Sequence, residues 1–254
     1  MTKLEPFTIQ LAGIPICIEP LYEKTREYCK DYIVEATEPA GCSVVVDSEA
    51  IAYEQLHSDR EAVKEKRVPV VYPEEYLETL AVYRSIAEWM PHAGVVLFHG
   101  SVVAVDGKAY LFTARSGTGK STHTRLWREY FGERAVMVND DKPLLKVTKE
   151  GVFACGTPWD GKHHLNTNCE VPLAAICILK RDTENVIRQA APAQVYPILL
   201  QQCYRPADKE AMEWTLHLLD SIKERVTCYS LRCNQDRQAA EVAYYGMNQL
   251  KRRN

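Results

Sequence analysis

The segment Ala114-Arg-Ser-Gly-Thr-Gly-Lys-Ser121 constrains this chain more than any other stretch. An apolar run, Ala109 to Thr113, precedes it, and a helix is predicted from Lys120 to about Phe131, so the glycines fall at a strand-to-helix turn. In such a turn successive backbone N–H groups and the positive end of the following helix make a nest for an anion. The tail of the pattern G-x-x-x-x-G-K-[ST] is intact. Gly117 and Gly119 let the backbone come close to a phosphate, Lys120 supplies the cation, and Ser121 supplies a hydroxyl ligand for Mg²⁺. Ser116, Thr118 and Thr122 complete the phosphate-contacting set, Thr122 as a second hydroxyl. Ala114 stands where the first glycine is usual, so the loop must be entered with a backbone angle that alanine tolerates. A chance Gly-Lys-Ser at a helix start would leave the flanking strand and helix as coincidence.

The second element is Val136-Met-Val-Asn-Asp-Asp141, an apolar strand ending in two carboxylates, where the metal-holding acid of a phosphoryl-transfer site is found. Adjacent carboxylates can divide the work, one engaging Mg²⁺ and the other taking the proton of an incoming hydroxyl. The plainer alternative is a polar turn before Lys142-Pro143. The third element is Phe98-His99-Gly100, at the mouth of the hairpin that leads into the loop. A fourth is Gly156-Thr-Pro-Trp-Asp-Gly-Lys-His-His164, a Gly/Pro-punctuated loop carrying Asp160 and Lys162 as acceptor-site candidates. Its alternative is a surface loop anchored by Trp159 with solvated charges. His123 and Arg125 are read as solvated helix-surface residues in preference to site residues.

The run from Phe98 to Val147, FHGSVVAVDGKAYLFTARSGTGKSTHTRLW followed by AVMVNDDKPLLKV, resembles the catalytic domain of the HPr kinase/phosphorylase family. That family also has a His-Gly, a short hairpin, a G-x-SGxGKS loop and an Asp-Asp pair after the next strand. The SGTGK core is similar to the loop of ATP-dependent phosphoenolpyruvate carboxykinases, of the same structural superfamily. The resemblance implies a phosphoenolpyruvate carboxykinase-like P-loop kinase core, ATP and Mg²⁺ as cofactors, and a hydroxyl acceptor. Carried over residue by residue, Lys120 and Ser121 bind phosphate and metal, and His99 assists near the transferred phosphate. Asp140 is then the catalytic acid/base, with Asp141 on Mg²⁺. The acceptor stays open: a serine of a peptide or protein, a free hydroxy amino acid, or another small molecule. Two rivals stay open as well, a carboxykinase- or phosphorylase-like phosphotransfer and a nucleotide-binding regulatory ATPase module.

Around this core the pattern predicts an α/β protein with a mixed sheet, divided into an α+β lobe over 1–70 and a catalytic domain over 71–254. Phe7 to Leu11, Ile14 to Ile18 and Ser43 to Val46 are short apolar runs, Tyr22 to Tyr32 looks helical, and the mixed-charge run Asp59 to Arg67 is read as a solvated connection. A helix from Pro73 carries Tyr76, Leu80, Tyr83, Ala87 and Met90 on one face, taken as core. Asp106-Gly107 and Glu150-Gly151 predict hairpins. Leu173 to Leu179 reads as a buried strand. Helices are expected at Gln194 to Cys203, Ala207 to Arg225 and Asp236 to Leu250, the last with Ala240, Ala243, Tyr244, Met247 and Leu250 inward, and a strand at Val226 to Leu231.

A formal net charge of -3 gives no pull toward nucleic acid or anionic membrane, so neither is expected as a partner, while a homo-oligomer is open. The N-terminus lacks the apolar run of a signal peptide and no stretch is long and apolar enough to span a bilayer, which predicts a cytoplasmic protein. Nine cysteines without a C-x-x-C pair read as reduced thiols, and His163, His164 and Cys169 lack the fourth regularly spaced ligand that structural zinc needs.

Overall fold

The computed structural model describes residues 4–35, 40–64 and 66–249. The chain divides into two compact units, Met1–Trp89 and Met90–Asn254. The division thus falls after the helix that the sequence pattern assigned to the catalytic domain, and residue 70 lies within the first unit.

In the first unit β1 (Phe7–Leu11) and β2 (Ile14–Glu19) form a hairpin turning at Ala12 and Gly13, both with positive φ. Then come α1 (Glu23–Tyr28), β3 (Ile33–Val34), β4 (Cys42–Val45), α2 (Ser48–Lys64) and α3 (Glu74–Trp89). The sheet order is β3-β1-β2-β4, with β4 parallel to β2. Two expectations are corrected here. Asp59 to Lys64 belongs to α2, because the alternating charges satisfy helical spacing, as in the Lys64–Glu61 pair at 2.6 Å, and Ala62 reaches the core. Of the expected stripe Ala87 and Met90 are buried, but Tyr76 is 41% exposed, and the buried face of α3 runs through Leu77, Glu78, Thr79, Ala81, Val82, Ile86 and Ala87. The reason is Glu78, whose fully buried carboxylate accepts hydrogen bonds from the Leu21 and Tyr22 N–H groups and the Thr25 hydroxyl at the start of α1. A buried carboxylate needs such donors, and this one satisfies a helix start that has no side-chain cap of its own.

The second unit runs β5 (Val95–Leu97), β6 (Ser101–Val105), β7 (Lys108–Thr113), α4 (Lys120–Phe131), β8 (Ala135–Asn139), β9 (Leu144–Val147) and β10 (Val152–Cys155). It continues with β11 (Glu170–Arg181), β12 (Val186–Gln189), α5 (Pro192–Gln202), α6 (Lys209–Arg225), β13 (Thr227–Cys233) and α7 (Gln238–Gln249). Both hairpins form where their Asp-Gly and Glu-Gly dipeptides put them, and Asp106 and Gly107 take φ of 51° and 74°. The sheet is mixed: β6 is antiparallel to β7 and β8, β11 is parallel to β7 and β13, and β12 pairs with β13. The first residues of β11 pair with β10, which leads through β9 to β5. β12 carries no clear sequence signal because it is a half-exposed strand pairing only with β13.

Side chains alternate across this sheet as the two-residue strand period requires. Val103, Val105, Tyr110, Phe112, Cys177 and Tyr229 pack against Leu126, Trp127 and Phe131 of α4 and the Ala239, Ala240, Ala243 and Met247 face of α7. Val102, Ala104, Leu111, Ile176 and Ile178 face the other way, onto β9, β10, α5 and α6. The inward face of α7 agrees with the pattern apart from Leu250, which lies outside the described residues. Asp208 caps α6 by accepting from the Ala211 N–H at 2.8 Å. No described helix is long and apolar enough to cross a membrane.

Candidate active site

The loop from Ala114 to Gly119 joins the buried end of β7 to α4. Gly117 and Gly119 have φ of 74° and 118°, a conformation that L side chains rarely adopt. Gly119 is the N-cap of α4, and no side chain caps that helix, so its first-turn N–H groups are left to an outside acceptor. Ala114, at the position where glycine is usual, is 2% exposed and packs in the core beside Phe112, so its methyl group is a core contact. Lys120 is buried, with its Nζ 3.5 Å from the Ala114 carbonyl. Burial lowers the pKa of Lys120 and the negative Asp141 opposes that shift.

One residue absent from the sequence reading holds this loop. Arg181, at the end of β11, donates from Nε to the Thr118 carbonyl at 3.1 Å and from Nη2 to the Gly117 carbonyl. By occupying two loop carbonyls, it leaves the N–H side of the loop for an anion. Only the parallel pairing of β11 with β7 brings Arg181 there, and that long-range pairing has no local signature.

The paired carboxylates follow β8, and Asn139 organises them. Its side-chain carbonyl accepts from the N–H groups of Asp141 (2.9 Å) and Lys142 (2.6 Å). Its amide donates to the Thr157 and Trp159 carbonyls and to the Thr157 hydroxyl, each at 3.1 Å. One fully buried amide thus fixes the turn and ties it to the loop after β10. Asp140 is 3% exposed, and its Oδ1 accepts from the Gly161 N–H at 2.5 Å. Its Oδ2 is buried and has no partner among the described residues. Burial raises the pKa of Asp140, the Gly161 N–H works against that, and Asp160 and Asp141 add to the rise. Asp141 differs: burial pushes it up, but His99, Lys142 and Lys120 together outweigh burial and lower its pKa.

His99 reaches Asp141 with Nε2 3.2 Å from Oδ1. The two backbone segments are also joined, since the Gly100 N–H donates to the Asp141 carbonyl at 3.0 Å; the His99 N–H donates instead to the Gln202 carbonyl at the end of α5, at 2.7 Å. Ser121, Thr122 and Asp140 line one cavity of about 370 Å³, and a second of about 650 Å³ runs from Ala114 and Ser116 to Ile178, Arg181 and Ile198. Asp160 does not open onto either cavity. Its side chain is 1% exposed and is held by Asn166 (2.7 Å) and His164 (3.1 Å), while Lys162 is exposed on the same loop and Trp159 is buried beneath it. His123 is corrected from helix surface to core. It is 2% exposed, edge-on to Phe112, and its Nε2 accepts from the Trp127 indole N–H at 3.1 Å. Arg125 is exposed and pairs with Glu129 at 2.5 Å.

All nine cysteines are free, and no group of three or more His, Cys, Asp or Glu suited to hold a metal occurs among the described residues. Ser121, in the first turn of α4, and the partly buried carboxylate of Asp141, whose pKa is lowered against the effect of burial by His99, Lys142 and Lys120, are oxygen donors of the kind that a hard cation such as Mg²⁺ takes.

No protein-family model matches the chain, and no curated protein matches it in sequence. Among solved structures it is similar to the HPr(Ser) kinase/phosphatase from Coxiella burnetii, with a TM-score of 0.36 and 10% identity, over 61% of this chain and 98% of that chain.

Proposed function

We propose that this chain is an ATP- and Mg²⁺-dependent phosphotransferase with a phosphoenolpyruvate carboxykinase-like P-loop core, which moves the γ-phosphate of ATP to a hydroxyl group. One observation carries the reading: an uncapped, glycine-entered helix start and a buried carboxylate with a free oxygen, Asp140 Oδ2, line the same small cavity. The donor phosphates lie against the N–H groups at the start of α4 and the Lys120 ammonium, and the nucleoside takes the larger cavity beside Ile178 and Ile198.

Each residue then has one task. Arg181 keeps Gly117 and Thr118 in the conformation that offers their N–H groups. Asp141, the more acidic carboxylate, and the Ser121 hydroxyl would hold Mg²⁺, which would supply charge neutralisation for the transferred phosphate. His99 orients Asp141. Asp140 Oδ2 takes the acceptor's hydroxyl proton while the acceptor oxygen bonds to the γ-phosphorus. The bond from that phosphorus to its bridging oxygen breaks, and the electron pair leaves on ADP. The raised pKa of Asp140 makes it a better base than an ordinary carboxylate.

Consumption of Mg·ATP by the purified protein against a panel of alcohols, hydroxy amino acids and serine peptides tests this reading. ADP should appear only with an acceptor, and pyrophosphate should not replace ATP. Hydrolysis that ignores every acceptor would favour a regulatory ATPase instead.

A further inference from the structure

The cavity that Asp140 shares with Ser121 does not end at the phosphate loop. It extends down α4 past Thr124 to Arg125 and Arg128, with His163 on the facing loop. These α4 residues recur at three- and four-residue steps, so they form one face of the helix, and Arg128 lies about 10 Å along the axis from Ser121. The composition of this end is one-sided. Two guanidinium groups and an imidazole line it, and Asp140 is the only carboxylate among the lining residues. Arg125 is partly neutralised by Glu129, but the buried Nε of Arg128 has no hydrogen-bond partner among the described residues. A buried N–H of a charged group left unsatisfied is costly, and an anionic ligand would satisfy it. Asp140, whose Oδ2 also lacks a partner among the described residues, lines the same cavity, so the residue with the unmet donor and the residue with the unmet acceptor border one space.

Resting on the phosphotransferase reading, we propose that the acceptor is an anionic alcohol: its hydroxyl goes to Asp140, and a carboxylate or phosphate on the same molecule goes to Arg128, assisted by Arg125 and His163. A cavity of about 370 Å³ has room for a free hydroxy acid or for the hydroxyl-bearing terminal residue of a peptide, and both present the same pair of groups. Neutral alcohols leave the Arg128 N–H unpaired and are the poorer acceptors.

The test compares phosphate transfer from Mg·ATP to glycerate, free serine, serine amide, glycerol, and an acetylated peptide ending in serine with a free or an amidated C-terminus. Carboxylate members should exceed their neutral counterparts at least tenfold in kcat/KM. The preferred source, free acid or chain end, is then read directly. Arg128→Gln should raise KM at least tenfold for the carboxylate members, leave the neutral ones and the KM for ATP within about twofold, and Arg128→Lys should restore part of the loss. Equal use of acid and amide, or an Arg128→Gln variant with unchanged selectivity, overturns the anionic-acceptor inference and leaves the kinase reading standing. Acceptor-independent hydrolysis strikes the kinase reading itself. If no member of the panel is phosphorylated, calorimetry decides, with glycerate or the free-carboxylate peptide titrated into protein saturated with Mg²⁺ and a non-hydrolysable ATP analogue. Binding weakened at least tenfold by Arg128→Gln supports the site, and no binding, or no change, overturns it.

Discussion

Two neighbouring aspartates have been given opposite environments. Asp140 is buried against one N–H donor with a free oxygen, and Asp141 is surrounded by His99, Lys142 and Lys120. Under the proposed function Asp140 is the base and Asp141 the metal ligand, and that asymmetry makes the substitutions informative. Asp140→Asn keeps the volume and the Gly161 contact but cannot take a proton. ATP affinity should stay within about twofold while turnover falls at least about 100-fold, measured by equilibrium binding and steady-state rate. Lys120→Ala should abolish transfer and weaken ATP binding, since it removes the cation on the phosphates. Gly161→Ala is a subtler case, because its Cβ would lie 2.9 Å from Asp140 Oδ2. The carboxylate must shift, so turnover should drop by at least tenfold with little change in ATP affinity. Unchanged turnover in Gly161→Ala would remove the placement of Asp140 from the account.

Among the elements, the loop from Ala114 to Gly119 is held from β11 as much as from its own strand. Arg181→Ala should raise the KM for ATP several-fold, and Arg181→Lys should not restore it, because a single ammonium cannot reproduce two fork-like contacts to Gly117 and Thr118. This is also where the limits of the sequence are plainest. Asp106-Gly107 and Glu150-Gly151 turn as their dipeptides demand, and the loop, the helix after it and the aspartates that follow β8 come from local chemistry. What depends on distant pairing is hidden. Arg181 meets the loop only through the β7–β11 register, and Asn139 gains its role from carbonyls on a loop beyond the next hairpin. Glu78 faces inward because its partners lie at the start of α1, so a stripe read from α3 alone placed Ala87 and Met90 correctly but not Tyr76.

For the molecule as a whole, α4 packs on the large sheet through the core that holds Phe112 and Trp127, and His123, edge-on to Phe112, links the stability of that core to pH. Burial drives the pKa of His123 down to about 3, while the unfolded chain titrates near the ordinary value of about 6.5. The folded state therefore keeps this imidazole neutral where the unfolded chain takes up a proton. Stability from this group is complete above pH 6.5 and falls by about 1.4 kcal/mol for each pH unit below it, levelling off near pH 3. The denaturation midpoint should drop between pH 7.5 and pH 5, and His123→Gln should narrow that drop. A gap of the same size in the variant would show that the acid sensitivity lies elsewhere.

Under the proposed function the loop and Asp140 together pass phosphate to a hydroxyl. Terminally labelled ATP, incubated with Mg²⁺, the protein and the hydroxyl panel, tests it most directly by the fate of the label. Label should appear on an acceptor oxygen with wild-type protein, and that transfer should be lost in Asp140→Asn while ATP is still bound. Label recovered only as inorganic phosphate, or transfer undiminished in Asp140→Asn, would contradict it.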